Sequence, residues 1–374
     1  MKSLGLYIHI PFCRSKCLYC DFFSFPHMDE QTMDQYCKAL MGEIALWGAR
    51  MKGYLVDTVY FGGGTPTYLP PERLCSLLAA VREHFSLAEN AEITTECNPA
   101  TVDKAALTTL RAAGFNRLSL GAQSMDDREL KALGRIHTAS QFIETFSDAR
   151  AAGFDNVSAD LMFGIPHQSM ASFSKTLTEL CALSPEHISV YGLKIEEGTP
   201  FYDRRDTLPL PDEDTEREMY MHAVDFLASM GYEQYEISNF AKTGRESKHN
   251  LRYWRREDYL GMGVAAYSCL GNTRFSNTED MESYLSGQRK STQEQVSEHD
   301  MLCESVMLGM RLSEGCDFDA LAAQFGEKAY EYRDGLLRFE PMGLLKKTAC
   351  GCAFTKEGFY VSNAILSEIL DFEG

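Results

Sequence analysis

Two helix-like stretches of this chain end in the same four residues, Ala112-Ala113-Gly114-Phe115 and Ala151-Ala152-Gly153-Phe154, and a third ends Ser229-Met230-Gly231-Tyr232. A glycine that stops a helix in a left-handed conformation, followed at once by an aromatic ring entering the next strand, is a repeatable packing unit. Around these units, β-rich runs at 6–10, 56–61, 91–96, 117–120, 157–162 and 187–191 alternate with helical patterns up to about residue 240. Such alternation builds a parallel sheet or barrel. Right-handed crossovers then gather all strand C-termini on one face, where chemistry should collect.

Past residue 275 the βα rhythm stops. A polar transition at 278–289 leads into segments 298–312, 318–325 and 327–337 with apolar residues at helical spacing. The expected organisation is an α/β barrel in 1–275 and a smaller, mainly helical C-terminal domain in 276–374. With 374 residues, 44% of them hydrophobic, the chain is long enough for both cores. Its 36 basic and 54 acidic residues give a net charge of −18, which repels a phosphate backbone and argues against a nucleic-acid partner. Lys2 runs straight into Leu6-Tyr7-Ile8 without a charged-then-apolar leader, and no run reaches the ~18 apolar residues of a spanning helix. A cytoplasmic protein is expected.

Of twelve cysteines, three form a tight group, Cys13-x3-Cys17-x2-Cys20, directly after the first strand. The others, Cys37, Cys75, Cys97, Cys181, Cys269, Cys303 and Cys316, read as small buried side chains in a reducing compartment, and Cys350 and Cys352 as structural. Three thiolates are one short of a closed four-cysteine shell, so a [4Fe-4S] cubane held by Cys13, Cys17 and Cys20 keeps one iron open. That iron can chelate the amino and carboxylate groups of S-adenosylmethionine (SAM), whose reductive cleavage is chemistry of the cofactor. Spacing alone also admits a zinc site completed by a histidine such as His9, or plain buried cysteines. Covalent haem attachment is excluded, because Asp21 and not His follows Cys20.

Polar residues recur at the ends of the following strands. The second ends Phe61-Gly62-Gly63-Gly64-Thr65-Pro66, the third Glu96-Cys97-Asn98-Pro99 and the fourth Gly121-Ala122-Gln123-Ser124; the fifth carries Asp160. Taken singly, Glu96, Gln123 and Asp160 read as structural polar residues. On successive strands of one barrel they converge on one pocket. Farther on, Lys248-His249-Asn250-Leu251-Arg252-Tyr253-Trp254 sets a histidine beside large aromatics. Such a histidine can ligate haem iron, or it can tie a loop to the barrel mouth.

The cysteine motif inside Tyr7-Ile8-His9-Ile10-Pro11-Phe12-Cys13, followed by Gly62-Gly63-Gly64-Thr65-Pro66 and by His249-Asn250-x-x-Tyr253-Trp254, resembles the HemN/HemW group of radical SAM proteins, and within it the haem-chaperone branch. The resemblance covers nearly the whole chain. It implies an incomplete (β/α)6 barrel with a HemN-type C-terminal domain, and SAM contacts on Tyr7, Gly63, Gly64, Thr65, Glu96, Gln123, Arg135 and Asp160. It also implies His249 as a haem contact, a possible homodimer, and delivery of haem to apo-haemoproteins, respiratory enzymes at the membrane among them. The oxygen-independent coproporphyrinogen III oxidases of the group carry a further cysteine two residues after the third ligand, where this chain has Phe22. The chaperone branch often continues Gly-x-Gly-Ala-His-Ser, whereas this chain reads Gly263-Val264-Ala265-Ala266-Tyr267-Ser268. The competing expectations are a haem chaperone and an anaerobic porphyrinogen-oxidising enzyme.

Overall fold

The structure, a computed structural model, describes residues 1–372. Six parallel strands stand side by side in chain order: β1 (Lys2–Ile10), β2 (Tyr54–Gly63), β3 (Leu87–Cys97), β4 (Arg117–Gln123), β5 (Val157–Phe163) and β6 (His187–Gly192). Helices α1 (Glu30–Arg50), α2 (Pro71–His84), α3 (Lys104–Ala113), α4 (Asp127–Ala132), α5 (Ala139–Ala151), α6 (Met170–Ala182) and α7 (Glu213–Ser229) pack outside them. The expected α/β architecture, an incomplete (β/α)6 barrel, is the one observed. Beyond β6 the edge continues through the short antiparallel strands β7 (Glu233–Gln234) and β8 (Asn239–Ala241).

The repeated glycine–aromatic unit works as its chemistry requires. Gly114, Gly153 and Gly231 have φ of 105°, 92° and 83°. The next residue in each case, Phe115, Phe154 or Tyr232, donates its N–H back to a carbonyl five residues earlier (Leu110, Ala149 and Leu227), at 3.0–3.2 Å. All three rings are buried in the sheet–helix core. A helix end and a core anchor are therefore fixed by two adjacent residues.

A seventh parallel strand, β9 (Tyr259–Met262), lies on the other side of β1, led in by helix α8 (Lys248–Trp254). Three antiparallel strands, β10 (Tyr267–Leu270), β11 (Thr273–Asn277) and β12 (Lys290–Gln295), extend this edge, with helix α9 (Met281–Leu285) between the last two. The sheet therefore runs to Gln295, and residue 275 lies inside β11. Beyond Gln295 the chain forms a small unit of helices α10 (Glu298–Gly309), α11 (Phe318–Phe325), α12 (Lys328–Leu337), α13 (Lys356–Tyr360) and α14 (Ser362–Ile369). The unit also holds a three-stranded sheet of β13 (Cys316–Asp317), β14 (Leu345–Lys347) and β15 (Gly351–Phe354). Cys352 is buried on the central strand and Cys350 is exposed, with both thiols free.

The extension is pinned to the barrel by one buried carboxylate. Glu43 of α1 accepts hydrogen bonds from the Gly263 N–H (3.0 Å), the Asn277 amide (2.8 Å) and the Tyr284 hydroxyl (2.6 Å). Burial raises its pKa, and those three donors oppose the rise. Truncation leaves three buried donors unpaired, so Glu43→Ala is expected to lower stability by about 3–5 kcal/mol in urea denaturation. Glu43→Gln, which keeps an acceptor, should lose less than half of that. Equal losses would show that the carboxylate is not the pin.

Candidate cofactor site

The loop after β1 carries Cys13, Cys17 and Cys20 across the C-terminal mouth of the barrel, and three neighbours hold it there. On one side the Gly64 N–H donates to the Ile10 carbonyl (2.9 Å) and the Thr65 N–H to the Phe12 carbonyl (2.8 Å). A Cβ at Gly64 would stand 2.7 Å from the Phe12 oxygen and 3.1 Å from the Cys13 sulfur, so only glycine permits this approach. On a second side the Leu18 N–H donates to the Leu133 carbonyl (3.1 Å), and on a third the Phe201 N–H donates to the Leu18 carbonyl (3.0 Å). Beneath it Leu133, Met162, Ile165 and Phe201 form a separate apolar cluster on which Leu18 and Tyr19 pack.

Thr65 Oγ1 lies 3.5 Å from the Cys13 sulfur, and the Arg135 guanidinium donates to the Cys17 sulfur at 3.6 Å. Among the described residues, the groups of ligand atoms drawn within 4.8 Å of one another do not include the three cysteines. A single tetrahedral zinc needs sulfurs about 3.8 Å apart, closer than all three are drawn together here. His9 does not complete a zinc shell either. Its Nδ1 shares a hydrogen bond with the Tyr7 hydroxyl and its Nε2 faces the Phe23 carbonyl, both at 3.0 Å. Burial lowers its pKa to about 4, so it is neutral at physiological pH.

Below the loop the strands deliver a connected polar lining. Glu96 accepts from the Tyr60 hydroxyl (2.9 Å) and from the Gly63 N–H (3.1 Å). Burial, followed by the charge of Asp160, pushes the Glu96 carboxyl up to about 7, while Tyr60 and Gly63 oppose it. Asp160 is held by the hydroxyls of Ser189 (2.7 Å), Ser119 (2.8 Å) and Ser158 (3.3 Å). Its pKa is raised by burial against those bonds and the Arg117 charge. Gln123 sits at φ 57°, where the β4–β5 register shifts between Gly121 and Gln123. A non-glycine residue in that region carries strain of order 1 kcal/mol, and a bulge re-aims its side chain. Its Oε1 is buried without a partner, as is Nε of the neighbouring Arg135. Arg135 otherwise donates to Asn98 Oδ1 (2.6 Å) and the Gly121 carbonyl (2.9 Å). A buried acceptor and a buried donor left open beside the cysteine loop suit a polar ligand there.

The lining thus brings together Tyr7, Gly63, Gly64, Thr65, Glu96, Gln123, Arg135 and Asp160. It adds Asn98 from the Glu96-Cys97-Asn98-Pro99 strand end, and Tyr60, Ser119, Ser189 and Arg117, which no sequence motif singled out. In Arg117-Leu118-Ser119-Leu120-Gly121 the two-residue alternation of polar and apolar positions was the available signal.

His249 packs against this lining. It is 1% exposed, at the first turn of α8, where its ring stacks on Tyr60 (5.2 Å between centroids). Its Nδ1 is bonded to the Thr58 hydroxyl and its Nε2 to the Tyr253 hydroxyl, both at 2.8 Å. Glu92 accepts the N–H groups of Lys248 (3.2 Å) and His249 (3.1 Å). Thr58 and Glu92 are register partners five residues before the ends of their strands, so α8 reaches the lumen below the cysteine loop. Both ring nitrogens of His249, the residue expected to meet haem iron, are thus engaged in hydrogen bonds within the protein. Burial, then the charges of Arg252 and Arg117, lowers its pKa to about 3.

Residues 7–180 match the radical SAM superfamily, and residues 296–361 the HemN C-terminal domain. The haem chaperone HemW of Bacillus subtilis is 34% identical over 99% of both chains, and that of Escherichia coli 35% identical over 99% of both. A bovine mitochondrial radical S-adenosyl methionine domain-containing protein is 34% identical over 84% of this chain and 74% of its own. Among solved structures, the coproporphyrinogen III oxidase HemN of Escherichia coli, a radical SAM enzyme, superposes with a TM-score of 0.87. It is 26% identical, over 99% of this chain and 90% of that one.

A raised carboxyl in the folded state stabilises at low pH, and that contribution is lost as pH rises from the unfolded value toward the folded one, here from about 4.5 to about 7. Glu96→Gln removes the titration. In cofactor-free protein it is expected to melt a few degrees above the parent at pH 8 and within a degree of it at pH 5. A gain of equal size at both pH values would contradict the assigned shift.

Proposed function

This chain belongs to the HemW family of radical SAM proteins, and we propose that it binds haem and delivers it to apo-haemoproteins, with a [4Fe-4S] cluster and SAM at the barrel mouth. The observation that carries this reading is the match to proteins named haem chaperones over 99% of the chain. Phe22 supports it. The position that bears a further cysteine in the oxidase branch holds a phenyl ring here, 65% exposed beside the cluster loop. Such a ring offers apolar surface to a flat macrocycle and no thiol to a cluster.

In this proposal Cys13, Cys17 and Cys20 hold three irons, and Gly64 keeps the backbone close enough for the loop to seat. When bound, the cluster and SAM supply electron transfer and a cleavable sulfonium. The protein's own groups orient and enclose them. Gly63 and Gly64 present their backbone to the methionyl amino group, Thr65 borders Cys13, and Arg135 and Gln123 offer a free donor and acceptor. Glu96 and Asp160 receive hydroxyl and amino groups. Tyr7, between His9 and the Glu96 side, closes the wall. His249 holds α8 against the lumen and acts on the site only through Thr58, Tyr60 and Tyr253.

No helix among the described residues is long and apolar enough to cross a membrane. The same proposal places the protein in the cytoplasm, with respiratory enzymes at the membrane as clients and a homodimer as the working form.

Three measurements test it. Anaerobic titration of reconstituted protein with haem should saturate at about one haem per chain, and the loaded protein should pass haem to an apo-haemoprotein. With reductant, SAM and coproporphyrinogen III, no repeated turnover is expected; sustained decarboxylation would replace the chaperone with the enzyme. His249→Ala should lower the melting temperature while leaving haem affinity within about threefold. A loss of tenfold or more, with the fold intact, would make His249 a direct contact.

A further inference from the structure

Among the described residues, two side-chain groups outside the barrel have the spacing of a metal shell; Asp317, Asp319 and Cys350 are all exposed, whereas the other group contains a buried thiol and an imidazole. His299 and Cys303 stand one turn apart on α10, so their side chains share a face. After α14 the chain returns and lays the Asp371 carboxylate over them. Cys303 Sγ is 3.7 Å from His299 Nε2 and 3.9 Å from Asp371 Oδ1, and His299 Nε2 is 3.5 Å from the same oxygen. With Zn–S of 2.3 Å and Zn–N or Zn–O near 2.0 Å, the edges of a tetrahedron are roughly 3.3–3.6 Å. All three observed edges lie within about 0.4 Å of that range. Tyr332 of α12 lines a further side, its hydroxyl 3.2 Å from the sulfur and donating to Asp371 Oδ1.

From this we infer that His299, Cys303 and Asp371 form a site for a thiophilic divalent cation, zinc by its ligand chemistry, which ties the C-terminal segment to α10. Nitrogen, thiolate and carboxylate suit zinc, and a water or the Tyr332 oxygen completes four-coordination. Cys303 is fully buried and Asp371 largely exposed, so the ion enters from the carboxylate side onto a thiol that solvent does not reach.

The metal-free arrangement is a hydrogen-bonded latch. Lys328 Nζ donates to His299 Nδ1 (3.0 Å) and to Asp371 Oδ2 (3.4 Å), which puts the imidazole proton on Nε2, facing the Asp371 carbonyl at 2.7 Å. Zinc binding moves that proton to Nδ1, which then no longer accepts from Lys328, and sends the Cys303 thiol proton to solvent. One proton is released per ion and no electron moves.

The test uses the full chain with its cluster reconstituted. Zinc is titrated against a chromophoric chelator under anaerobic conditions, and zinc, iron and sulfide are measured after desalting. The expected result is one zinc per chain with a Kd of ~1 μM or below. Cys303→Ser, His299→Ala and the surface change Asp371→Ala should each weaken zinc at least tenfold with iron and sulfide unchanged. Cys13→Ala should remove iron and keep zinc. Absence of tight zinc in the parent, zinc binding indifferent to Asp371→Ala and His299→Ala, or zinc lost with Cys13→Ala would each overturn the site and leave only the latch.

Discussion

The arrangement of the barrel mouth depends on one close approach, the backbone of Gly64 against that of Phe12 and Cys13. Without a side chain at residue 64, the N–H groups that follow β2 donate to carbonyls at and beyond the end of β1, and the loop after β1 has to turn across the opening. The loop then meets the Leu133–Arg135 turn and Phe201, contributed by β4 and β6 connections far along the chain. A three-cysteine motif is local in sequence. Its placement over a pocket is produced by contacts from three separate βα units.

The lumen below is unusual for a protein interior in the number of charged and polar side chains it encloses. Glu96, Asp160, Arg117, His187 and His249 all line it, and each carboxylate is matched to hydroxyl or backbone donors. Burial pushes the acids up and the histidines down, so that the charged forms of both are disfavoured and Arg117 is the fixed charge among them. A lining of this kind can orient a zwitterionic ligand with little rearrangement, because its donors are already fixed by the strands.

Much of this was legible in the residues. The parallel strands announced themselves through the repeated glycine–aromatic stop, and strand-end polar residues converged because crossovers have one hand. Four features were not legible. Strand β9 is four residues long and contains Gly261, too short to carry a period. Strand β12 is exposed along its length and reads as a polar linker, which drew the expected boundary back to residue 275. The place of His249 depends on α8 packing against Thr58 and Tyr60, a contact made by residues almost two hundred positions away. Local chemistry identified a histidine among aromatics and could not say which side of the barrel it faced. Glu43 belongs to the same class, since its three donors all come from beyond residue 260.

A cluster with one open iron, held by Cys13, Cys17 and Cys20, is the premise of every role proposed for the barrel mouth, and electron paramagnetic resonance of the reduced, anaerobically reconstituted protein tests it most directly. The expected result is ~4 iron and ~4 sulfide per chain, a [4Fe-4S]+ signal that changes shape when SAM is added, and loss of that signal in Cys13→Ala. A cluster signal indifferent to SAM would mean that no iron is open, and the absence of any cluster in the parent protein would contradict the assignment of the three cysteines.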